Sequence, residues 1–257
     1  MGKYFAIEVK PEVSQPALEG GNITANKILA DWIGFDVPKG AARLIGITAR
    51  YTGKNGVDYT PTDFDIFWAK TINGSAPPTF GTLGGSVDSH GWFPNIIGRS
   101  YFDADKDSSG TELVMGNILS ISRVAGGGPN SSAVQVGLND GLVLQGEPES
   151  GTNVGYDKLY CALITAGTHN WGASTMQVST ETATTTPIIV VKTLSPILSG
   201  IGPGDVLRDE DDQLIGTVKS VDSATQITME SNLENAPADN KLVYNTCPIT
   251  LILSFEK

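Results

Sequence analysis

The chain has 257 residues, with 17 lysines and arginines against 28 aspartates and glutamates, for a formal charge of −11. Apolar residues make up 40% of it, enough for a sizeable core, so the chain as a whole is not disordered. The acidic balance argues against nonspecific nucleic-acid binding and against docking on anionic membrane, both of which need clustered Lys and Arg.

In chain order, residues 1–10 (MGKYFAIEVK) hold an apolar run too short and too broken by charge for a signal peptide. Ala6 stands where a myristoylation signal wants Ser or Thr, and with no signal-peptide pattern export by the common route is not expected. No stretch approaches the roughly 18 to 20 apolar residues of a membrane helix. Residues 4–9 alternate apolar and polar and read as a first strand. Residues 10–36 carry little regular pattern, with a turn or two of helix expected over 26–32 after Thr24. After the turn Val37-Pro38-Lys39-Gly40, residues 42–51 (ARLIGITARY) read as a half-buried strand, and Lys54-Asn55-Gly56 signals a tight turn. Residues 63–69 (DFDIFWA) place Phe64, Ile66 and Trp68 on one face and Asp65 and Phe67 on the other, and one of these sets faces the core. Further strands are expected at 116–124, 133–138, 142–144, 158–165, 186–192 and 248–255. Segments 75–98, 126–132 and 146–155, rich in Gly, Ser and Pro, read as surface loops that make contacts or move.

Residues 194–244 differ. Short strands at 204–207, 214–218, 221–229 and 242–244, spaced by roughly ten residues with tight turns, predict a small β-barrel. It lies between residues 188–191 and 249–253, both of which read as core strands of a larger body. The expected architecture is an all-β antiparallel sandwich with the barrel inserted near the C-terminus. Its parts are an N-terminal strand and extended segment over 1–36, the sandwich body over 37–193 plus 246–257, and the inserted barrel over 194–245.

The residues that could carry chemistry are few. His90 and His169 both lie in Gly-rich, Trp-containing loops, without convergent partners that would mark acid–base or metal roles. No Gly-x-Ser-x-Gly elbow, phosphate loop or zinc-spaced Cys/His set occurs. Asp103, Asp105 and Asp107 alternate within residues 103–112 (DADKDSSGTE) and are candidate ligands for a hard cation. That loop departs from the EF-hand pattern, with Ser108 in place of the glycine and Val114 in place of the closing glutamate; a merely solvated loop is the alternative. The acidic run Asp209-Glu210-Asp211-Asp212 reads as a hairpin tip of the barrel. Cys161 and Cys247 are read as two buried thiols, or as one bridge between neighbouring strands. Phe80, Trp92, Phe93, Tyr101 and Trp171 cluster in loops, where they cap the open ends of the sandwich, anchor a protein interface or stack on sugars. No catalytic residue and no cofactor are assigned.

Residues 36–47 (DVPKGAARLIGI), residues 63–68 (DFDIFW) and the pair 158–164 (KLYCALI) and 248–253 (PITLIL) resemble virion structural proteins of tailed bacteriophages. Residues 204–229 are similar to small barrels added to phage head and tail proteins. The resemblance implies a jelly-roll-like body and a non-enzymatic capsid decoration, or cement, protein on the virion surface, made in the host cytoplasm. Its implied partners are the major capsid protein or other virion proteins and further copies of itself, as a homotrimer, with no nucleic acid and no membrane. Residues 10–36 then read as an arm reaching over a neighbour, with an ordinary packed loop as the alternative. The alternative function is a carbohydrate- or host-receptor-binding sandwich module of the tail or neck.

Overall fold

The computed structural model describes residues 3–13, 21–52, 62–87, 91–104, 116–122, 141–150, 155–171, 176–180, 183–192 and 200–257, with 52 and 116–122 described by backbone alone. Its strands are β1 (Tyr4–Val9), β2 (Ile28–Pro38), β3 (Ala42–Thr52), β4 (Phe64–Lys70), β5 (Ile96–Phe102), β6 (Gly116–Ser122), β7 (Leu142–Leu144), β8 (Tyr156–Thr165), β9 (Ile188–Val190), β10 (Val206–Asp209), β11 (Leu214–Val221), β12 (Gln226–Met229), β13 (Val243–Asn245) and β14 (Ile249–Glu256).

One sheet runs β1-β14-β3, with β6 and β7 both on the far side of β3; the other runs β2-β8-β4-β5. Every pairing is antiparallel. With β6 and β7 sharing one position and β9 to β13 set aside, the strand positions interleave as 1-8-3-6 and 2-7-4-5. This interleaving is a jelly roll, two sheets wound from paired strands so that successive strand positions fall in opposite sheets, save β4 and β5, which pair with each other.

Alternation builds the core. Leu251, Leu253 and Phe255 of β14, Phe64, Ile66 and Trp68 of β4, and Leu159, Cys161 and Leu163 of β8 all point between the sheets. The Trp68 indole N–H, buried there, donates to Ser100 Oγ at 2.9 Å. Strand β3 changes phase partway along. Ala42 and Leu44 are buried, then Ile47, Ala49 and Tyr51, because the register with β14 slips between Ser254 and Phe255 and one residue of β3 is left over.

The outer face of the β2-β8-β4-β5 sheet is also covered. Phe80 is fully buried against Trp32, Phe67 and Trp92, over Ile28, Ala162 and Ile164. The Asp31 carboxylate pins this covering loop. It accepts from Phe80 N and Thr79 Oγ1, each at 2.7 Å. The expected helix over 26–32 is instead the start of β2, because Ile28 and Leu29 are buried on opposite faces as only a strand allows. Strand β5 begins inside the expected loop 75–98. The N-terminal segment is packed where it is described: Ile23 bridges His169, and residues 28–36 lie within β2. Residues 14–20, the Lys54-Asn55-Gly56 turn, the expected strand at 133–138 and the loop 126–132 lie outside the described residues.

The inserted unit is one sheet in the order β13-β10-β11-β12-β9. Its own core includes Met176, Val178, Ile189, Leu207, Ile215, Ile227 and Val243. Residues 176–179 reach from one edge to the other: Val178 bridges Val191, and Gln177 bridges Leu242. These are isolated bridges, so the described strands form no closed barrel. The unit also starts earlier than the expected boundary at 194. Residues 188–191 pair with β12 and fill the small core rather than that of the body. A short apolar run looks alike whichever core it joins.

Candidate functional site

The end strands of the two sheets, β1 and β2, meet at an open seam flanked by the inserted unit. The seam holds a cavity of about 690 Å³. Val9, Ile33 and Phe35 line it from the body and also pack into the main core; Trp32 and Leu83 border it, and Pro203, Gly204, Val206 and Thr217 face it from the inserted unit. Beyond the bridges of Lys27 and Ile28 to Gly84, Gly85 and Ser86, no described strand pairs with the outer side of β1 or β2.

An ionic clamp fixes the flank. Lys10 Nζ lies 2.6 Å from Asp205 Oδ1 and donates to the Pro203 carbonyl. The other Asp205 oxygen accepts from Gly202 N and Asn245 Nδ2. The clamped side chains are mostly buried, Lys10 at 14% and Asp205 at 4% exposure. Arg208 reaches Glu12 at 3.3 Å, and Val13 N donates to the Thr246 carbonyl. Lys10 also lies 3.8 Å from Glu8, so Glu8, Glu12, Asp31 and Asp205 face the two cations Lys10 and Arg208 and the rim is net acidic; Glu8 and Glu12 are 51% and 41% exposed, and Asp31 lines the wall. The Trp32 indole N–H is buried with no hydrogen-bond partner among the described residues.

The residues singled out in the sequence lie elsewhere and do not converge. Asp103 is buried beside the Asp63–Tyr101 hydrogen bond of 2.7 Å; burial and these neighbouring acids hold the Tyr101 phenol well above its ordinary range. Asp105, Asp107 and His90 lie outside the described residues. Among the described residues no group of three or more His, Cys, Asp or Glu side chains could hold a metal ion. His169 is fully buried, stacks on Trp171 and lies 3.1 Å from the Asp63 carbonyl through Nε2. A carbonyl only accepts, so Nε2 carries the proton. Burial lowers this imidazole to about 4, against the pull of Asp63, which favours the charged form.

Phe80 and Trp171 are buried and Trp92 half-buried, as caps on the sheets, while Phe93 stands out at 72% exposure. At the β10–β11 hairpin, Asp209 is buried and accepts from Asp211 N and Gln213 N. Lys241 pairs with Glu210 and Asp211. The acidic run is thus a hairpin turn whose first carboxylate organises the backbone. Cys161 and Cys247 are buried and unbridged, and burial pushes the Cys247 thiol up to about 12.

No residue of the clamp or seam stands out in sequence. Lys10 and Glu12 sit in an unpatterned stretch, and Asp205 lies far along the chain. Among the described residues no helix is long and apolar enough to cross a membrane. No protein-family model and no curated protein matches the chain.

Proposed function

We propose that the protein is a structural component of a tailed-phage virion, a decoration protein that binds the capsid surface as a trimer and works without turnover. The observation that carries this reading is the jelly-roll order with a second sheet inserted between its last two strands. Jelly rolls recur in viral capsid and lectin domains, and the step from fold to role here is one of analogy. Rigidity supports it. The main core fills the space between the sheets, a second aromatic layer seals one outer face, and the clamp holds the insertion against the body. A particle-bound protein needs such a preorganised scaffold, since ordering flexible parts on binding costs affinity. The test is co-sedimentation with shells assembled from the major capsid protein of the phage that encodes the chain. Saturable pelleting with the shells is expected; a chain that stays in the supernatant at every ratio overturns the reading.

A further inference from the structure

We propose that the seam between β1 and β2 accepts an extended basic segment of a partner protein, which adds as a strand along β2. End strands expose backbone donors and acceptors that invite pairing with another chain. Strand β2 is irregular near Ala30 but regular against β8 from Ile33 to Pro38, so its outer edge there suits an added strand. Gly34 is exposed on this stretch, and the space a side chain would take there is filled on the sheet face by Tyr160 and Lys158 of β8. Alternate side chains of an added strand reach an apolar surface at Val9, Ile33 and Phe35.

Charge selects the partner. Glu8, Glu12, Asp31 and Asp205 stand at the seam and its clamp against two cations among the described residues, Lys10, shared between Asp205 and Glu8, and Arg208, paired with Glu12, which leaves the rim net acidic. The complementary segment alternates Lys or Arg with Val, Ile or Leu. Nucleic acid is repelled by the same rim, and a second copy would set acidic rim against acidic rim. The seam's chemistry does not depend on the virion reading, so shell binding and the titration below can fail separately.

The test is fluorescence anisotropy of the full chain with three labelled peptides. One alternates lysine and valine, one replaces alternate valines by proline, and one alternates glutamate and valine. The first is expected to bind. The proline peptide, which loses a backbone donor at each proline and fits a sheet poorly, is expected to bind at least about tenfold more weakly, and the glutamate peptide not at all. The double variant Glu8→Gln/Glu12→Gln, whose sites are half-exposed, is expected to bind the first peptide about tenfold more weakly at about 0.1 M salt. The difference shrinks at about 1 M, where the Debye length falls to about 3 Å. No binding of the lysine peptide overturns the proposal. So does equal binding of the proline peptide, which marks bare charge attraction, or an unchanged affinity in the folded double variant. The peptide series on the parent chain decides the matter even if the variant fails to fold.

Discussion

His169 is a buried neutral imidazole whose neutrality is itself a stability device. Its native pKa of about 4 lies below the ordinary 6.5 of an unfolded chain. Between those values the unfolded state holds a proton that the native state lacks, so stability rises with pH across this window. The contribution is complete above about 6.5 and is lost as pH falls toward 4, by about 3 kcal/mol at 1.36 kcal/mol per unit. His169→Gln keeps a side-chain donor toward the Asp63 carbonyl but cannot titrate. Urea unfolding at pH 7 and at pH 5 is expected to differ markedly in the parent and much less in the variant. An equal pH dependence in both contradicts the assignment. At this scale the sequence is least informative. His169 reads as a loop histidine because its burial comes from Ile23 and Asp63, residues remote in the chain whose approach no local pattern announces.

The clamp between residues 10–13 and the inserted unit makes the sharpest claim at the scale of elements. Lys10→Ala leaves the Asp205 carboxylate buried without its ammonium, although Asn245 and Gly202 still donate to it. The expected cost is about 3 kcal/mol, typical of breaking one side of a buried pair. Hydrogen exchange localises it. Amides of β10, β11 and β13 are expected to lose protection while those of β4 and β8 keep theirs; a uniform loss contradicts a local clamp. Which elements were legible follows from how many faces are buried. β1, β3, β4, β7, β8 and β14 show in the sequence because alternation or a continuous apolar run marks them. β2 does not, since the Phe80 loop covers one side, the core covers the other, and a register irregularity blurs its period. The seam was illegible for the same reason, being built from β2, an unpatterned stretch and a distant turn.

For the whole molecule, the all-β class, the sandwich and a late insertion could be read from turn spacing. The jelly-roll order could not, because it is set by non-local pairings such as β1 with β14. The insertion begins upstream of its expected boundary because residues 188–191 serve the smaller core. The proposed role requires a multimer seated on a lattice. The most direct measurement is its mass in solution by light scattering at two concentrations. A concentration-independent trimer is expected, near three times the 27.1 kDa of the chain. A monomer at both concentrations contradicts it.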